Sequence, residues 1–138
     1  MIAPTTHRSV WRMLGRVLVV VWFLLGGIGH FVLTDMFTSI VPSYIPFPSE
    51  FVYATGVCEI AGALAVLYKP LRHFAGLCLI ALAICVTPVH IHMLIDAQSP
   101  SPLLLTILWA RLLFQPVLIW IIWFSTSLRS AKSVQNAP

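Results

Sequence analysis

Apolar side chains along this chain gather into four long runs separated by short polar or proline-bearing breaks. The runs cover about residues 13–33, 51–68, 74–95 and 103–124. Each is close to the roughly 20 residues an α-helix needs to cross a bilayer. Helix is the required conformation, because lipid offers no partner to backbone N–H and C=O groups. The pattern predicts an all-α, four-transmembrane-helix bundle forming a single membrane domain over residues 1–138, with tails that stop near Val10 and resume near Ser125.

Local chemistry marks the helix ends. Ser49 is placed to cap the second helix, which puts Glu50 in its positive first turn. Ser101 followed by Pro102 reads as a cap with proline at the first helical position. Lys69-Pro70 ends the second helix, because proline cannot continue it. Between the first two helices, residues 34–49 carry Pro42, Pro46 and Pro48 together with Phe37, Tyr44, Ile45 and Phe47. This outer loop is too apolar for a solvated linker. Aromatic side chains favour membrane interfaces, so an interfacial loop is expected. The alternative is a lid folded back over the bundle.

Composition supports lipid as the solvent. Of the 138 residues, 59% are hydrophobic and 9% charged, whereas a soluble domain carries roughly a quarter charged residues. The net charge of +4 is unevenly placed. Arg8, Arg12 and Arg16, then Lys69 and Arg72, then Arg129 and Lys132 fall in segments that share one side of a membrane. Asp35, Glu50 and Asp96 fall on the other. The positive-inside rule then puts both termini in the cytoplasm. It accounts for the basic charge without a nucleic-acid partner. Trp120 and Trp123 fit an aromatic belt at the inner end of the fourth helix. The expected location is the bacterial inner membrane, multi-pass, with the lipid bilayer as the principal partner. A cleaved signal peptide is the competing reading of the first run, but that run is long and lacks an A-x-A site.

Five polar side chains within the runs need an account: His30, Glu59, His90, Arg111 and Gln115. A charge at membrane depth is costly unless paired, neutralised or hydrated, so each should face the bundle interior. Glu59 and Arg111 each lie about eight or nine residues inside the outer end of a helix. At roughly 1.5 Å per residue they are level, which allows an ion pair. His30 and His90 sit nearer the outer surface, and Gln115 shares a face with Arg111. Together these groups line a polar pocket in the outer half of the membrane, or they act as hydrogen-bonding glue between helices. His90 and His92 point about 200° apart on a helix and do not grip one ion together. A metal site of His30, Glu59 and one of these histidines lacks any ligand-spacing signature. Cys58 and Cys85 come at similar depths, but cysteines in apolar surroundings are usually inert. Cys78 likewise lies in an apolar run. Ala54, Cys58 and Gly62 recur every four residues and read as a close-contact face, as do Gly26, Gly27 and Gly29. Pro88 and Pro116 free the carbonyls of Ile84 and Leu112 beside the polar cluster.

Several short blocks resemble the DoxX-like membrane proteins, a family grouped with DoxX and MauE as redox-associated. They are His30-Phe31, Pro42-Ser43-Tyr44-Ile45-Pro46, Gly56-Val57-Cys58-Glu59-Ile60-Ala61-Gly62, Pro88-Val89-His90-Ile91-His92-Met93 and Arg111-Leu112-Leu113-Phe114-Gln115. The similarity runs over roughly residues 13–124, and the order and spacing of the blocks carry it. In the family pattern asparagine often stands at the position of His90, and proline at that of Leu113. The resemblance implies a four-helix bundle and a link to membrane redox systems, including quinone-linked sulfur oxidation.

Three functions follow as expectations. The first is a membrane subunit of a redox system, with the polar pocket binding a quinone or another small molecule. The second is a non-catalytic partner that helps another membrane protein assemble. The third is a small carrier, which at this size requires a homo-oligomer. The chain contains no complete catalytic or metal motif.

Overall fold

Proline and glycine govern where these helices start and where they touch. The computed structural model describes residues 5–96 and 101–128. It contains α1 (Thr5–Val32), α2 (Thr34–Ser39), α3 (Pro48–Leu67), α4 (Arg72–Asp96) and α5 (Pro102–Thr126), with no strand among the described residues. The long helices α1, α3, α4 and α5 are each long and apolar enough to cross a membrane. They form the expected four-helix bundle, and the protein is a multi-pass membrane protein.

The boundaries depart from the sequence expectation in instructive ways. α3 starts at Pro48, before Ser49, so Ser49 is not its cap. The N-cap is Phe47, in the left-handed region at φ 55° and ψ 59°, with no side-chain cap hydrogen bond. Proline at the first helical position presets φ and has no N–H to leave unpaired. Glu50 falls in the first turn as expected. At the other end, Arg72 donates to the carbonyls of Val66 (3.0 Å) and Leu67 (3.4 Å), satisfying acceptors that the finished helix leaves open. Pro102 opens α5 as expected, and the Leu105 N–H donates to the Ser101 carbonyl at 3.0 Å. Residues 34–49 are not simply a loop, since they begin with the short helix α2.

The long helices form a ring in the order α1, α3, α4, α5 and back to α1, while α2 packs on α3 and α1. Alternating direction gathers Arg8, Arg12, Arg16, Lys69 and Arg72 at one end of the bundle, and Asp35 and Glu50 at the other. Arg129 and Lys132 lie outside the described residues. The solid core occupies the basic half: Val19, Val20 and Phe23 from α1, Ala63 and Val66 from α3, Ala75 and Leu79 from α4, and Leu118 and Ile122 from α5. There Gly15 meets Ser125 and Gly76 meets Thr126. Arg12 donates to the Ser127 carbonyl and hydroxyl, and Arg16 to the Ser125 carbonyl, tying α1 to the closing turn of α5. The outer surface is apolar, with Val17, Leu25, Leu67, Ile84, Leu113 and Trp120 exposed. A belt of this kind is where lipid contacts the protein. Cys58, Cys78 and Cys85 are free and exposed on the outside of the bundle.

Helices α1 and α3 approach closely at glycines. A methyl group at Gly27 would lie 2.6 Å from Ile60 Cγ1 and 2.9 Å from the Gly56 carbonyl oxygen. One at Gly56 would lie 2.8 Å from His30 Cβ. Gly26 and Gly27 thus act as close-contact residues, as expected, while Gly29 meets the Phe37 ring. The expected Ala54–Cys58–Gly62 stripe does not form one contact face. Ala54 and Cys58 are exposed, and Gly62 packs alone against Leu79 of α4. The α1-facing residue is Gly56. Gly27→Ala and Gly56→Ala are therefore expected to destabilise the protein by about 1–3 kcal/mol through overpacking. Cys58→Ala should change stability by about 0.5 kcal/mol or less. Unfolding in detergent followed by circular dichroism checks this, and equal effects at the three positions would refute the assignment.

Candidate functional site

Beyond the core, toward the acidic end, the same four helices enclose a cavity of about 850 Å³. Each wall carries one or two polar groups on otherwise apolar surface. α1 supplies Gly26 and His30, α3 supplies Thr55 and Glu59, α4 supplies His90, and α5 supplies Arg111 and Gln115. Phe37 from α2, with Ile40 and Val41 just beyond it, covers the outer side. All five polar side chains singled out in the sequence line this one space. The segment after α1 therefore folds back over the bundle, as in the lid alternative, instead of lying apart from it.

Glu59 is positioned by the α1–α3 crossing. The absence of a side chain at Gly26 lets its carboxylate rest over the α1 backbone, where a methyl group would approach Oε2 to 2.6 Å. Its partner is His30, with Nε2 to Oε1 at 3.6 Å and both side chains about 15% exposed (15% and 14%). The His30 ring also meets the Phe37 ring in a tilted contact, with centroids 4.3 Å apart. The imidazole and the carboxylate come within ion-pair distance but not hydrogen-bond distance. His30 Nδ1 and His90 Nδ1 are buried and make no hydrogen bond.

The expected Glu59–Arg111 ion pair is not formed. Among the described residues the ion-pair contact is His30–Glu59. The depth argument put Glu59 and Arg111 level, but α3 and α5 stand at opposite corners of the ring, so the two charges face each other across the cavity. Among the described residues no three His, Cys, Asp or Glu side chains come together as a metal site. His92 instead meets the Tyr44 ring edge-on, with centroids 6.1 Å apart.

Gln115 both lines the cavity and joins two helices. Its amide donates to the Ala83 carbonyl at 2.6 Å and lies 3.5 Å from the Thr87 hydroxyl. Thr87 donates to the same carbonyl at 2.9 Å. The acceptor used is one residue before Ile84, whose carbonyl Pro88 leaves free. Thr55 and Phe37 line the cavity and Thr87 supports it through Gln115, and none of them was expected at the site from the sequence, where Phe37 was read only as part of the outer loop. Thr55 lies one turn before Glu59 and Thr87 nearly one turn before His90, so the helical period was the available signal. Phe37 carried no such signal, because its place depends on α2. Gln115→Leu should cost about 1 kcal/mol of stability, in the range measured for hydrogen bonds between membrane helices. A Gln115→Leu, Thr87→Val double-mutant cycle in detergent checks the coupling, and additive effects would contradict the shared clamp.

No curated protein and no solved structure matches the chain. Residues 19–126, which include every polar group of the cavity, match the family described as Domain of unknown function (DUF8561), and the chain belongs to that family.

Proposed function

We propose that this protein is a DoxX-like membrane subunit of a redox-linked system, and that its cavity binds a quinone or a similar small amphipathic molecule drawn from the bilayer. The observation that supports this reading is the cavity itself. Its volume of about 850 Å³ falls within the roughly 300–1,000 Å³ typical of small-molecule sites. Its walls join flat apolar surfaces, among them Trp22, Phe37, Phe51 and Phe114, to a few convergent polar groups. Aromatic faces suit a planar ring, and the His30–Glu59 pair is placed to exchange a proton with a ring oxygen. The protein would lie in the bacterial inner membrane with the basic end, and so both termini, in the cytoplasm, following the positive-inside rule.

Protein purified in mild detergent is expected to carry bound quinone, detected by mass spectrometry of an organic extract. Added quinone should raise the unfolding temperature of the wild type, and Glu59→Gln should diminish that rise. Absence of bound quinone, with no thermal response in either protein, would favour the non-catalytic assembly role instead. For that role the exposed Ala54, Cys58 and Ala61 on α3 offer a surface that another helix can approach closely.

A further inference from the structure

Arg111 carries a charge that the cavity wall leaves uncompensated. An arginine side chain stays protonated in proteins, and a charge at membrane depth demands a partner. The chain has four acidic residues. Glu59 is engaged with His30 on the α1–α3 side. Asp35 lies on α2 and Glu50 in the first turn of α3, both at the acidic end of the bundle. Asp96 is the closing residue of α4. Among the described residues no carboxylate lies within 4.0 Å of Arg111, and none accepts a hydrogen bond from its guanidinium. The Gln115 clamp to Ala83 and Thr87 fixes the register of α5 on α4. One turn outward from that clamp, Arg111 shares a wall with His90, whose buried Nδ1 makes no hydrogen bond.

The cavity also has a way in. Leu25 on α1, with Ile107 and Arg111 on α5, line it and are exposed on the outside of the bundle. The gap between α1 and α5 therefore opens sideways toward lipid. One turn deeper the rings of Trp22 and Phe114 meet across the gap, 4.8 Å apart. A molecule in this space has a permanent cation beside it, apolar walls around it and a carboxylate facing it from α3. We propose that the occupant is an amphiphile with an oxyanion head, a carboxylate or a phosphate ester, whose head is bound by Arg111 and whose apolar chain passes between α1 and α5. The planar guanidinium matches either head by paired N–H···O bonds. Glu59 repels the head from the opposite wall and so fixes its orientation. The inference shares with the proposed function the premise that the cavity holds a ligand, and it does not depend on that ligand being a quinone.

The test uses the purified full chain in a non-ionic detergent, with oleate, dodecyl phosphate and oleyl alcohol as probes and binding read by native mass spectrometry and thermal shift. Oleate and dodecyl phosphate should bind roughly 10-fold or more tightly than the alcohol, the margin of a charge-assisted hydrogen bond. Arg111→Gln should erase that preference while leaving alcohol binding unchanged, and Arg111→Lys should keep part of it. Ile107→Trp, which obstructs the opening, should weaken all three probes, and it places the site even where Arg111→Gln fails to fold. Equal binding of oleate and the alcohol, an undiminished preference in Arg111→Gln, or full oleate affinity in Ile107→Trp would each overturn the proposal. In nanodiscs, an Arg111-dependent stabilisation by phosphatidylglycerol over phosphatidylcholine assigns the oxyanion to a bilayer lipid. An oleate preference without it assigns a free carboxylate. Quinone binding without any oleate preference removes this inference alone, whereas an oleate preference without quinone binding removes only the quinone.

Discussion

The close approach of α1 and α3 at Gly26, Gly27 and Gly56 is the contact on which the rest of the arrangement depends. In a bilayer the lipid tails are as apolar as the side chains, so helices associate by van der Waals packing and hydrogen bonding more than by the hydrophobic effect. Glycine contributes by removing what stands between two backbones. Here that removal also has an electrostatic result. With no side chain at Gly26, the Glu59 carboxylate settles over α1 and meets His30. Among the described residues the arginine on the far corner of the ring has no ion-pair contact with a carboxylate. The site's chemistry thus follows from the packing of a single helix pair.

The second organising fact is the division of the bundle into a filled half and a hollow half. Toward the basic end, valine, alanine, leucine and isoleucine from all four long helices interlock, and α1 is bound to the last turn of α5 by Arg12 and Arg16. Toward the acidic end the helices keep their ring order, but the side chains there, mostly apolar with a few polar groups among them, leave open volume. α2 closes that end from outside, with Phe37 laid on His30. One end holds the shape and the other holds the cavity.

Much of this was legible in the sequence because lipid imposes a simple rule on it. The four apolar runs, Pro102 at the head of the last helix, the stop before Pro70 and the inward turn of His30, Glu59, His90 and Gln115 all follow from the cost of exposing polar groups to hydrocarbon, whereas Arg111 lines the cavity and is also exposed on the outside of the bundle. What depth counting cannot supply is azimuth. Glu59 and Arg111 both line the cavity, yet their helices stand diagonally, and the ion-pair contact of Glu59 is with a neighbour on α1. The Ala54–Cys58–Gly62 stripe failed for a related reason. A four-residue spacing identifies a face without saying what meets it, and here the face toward α1 is that of Gly56. Residues 34–49 were ambiguous because an apolar, proline-rich segment suits the headgroup region and a bundle surface equally. The contact of Phe37 with His30, between two elements, sets the start of the segment against the bundle.

The central claim is that Glu59 belongs to His30 and not to Arg111. Double-mutant cycles measured in one detergent, pairing Glu59→Gln with His30→Phe and separately with Arg111→Gln, address it directly. A coupling above about 0.5 kcal/mol is expected for Glu59 with His30, and one within about 0.3–0.5 kcal/mol of zero for Glu59 with Arg111. A strong Glu59–Arg111 coupling beside additive Glu59 and His30 effects would contradict the account.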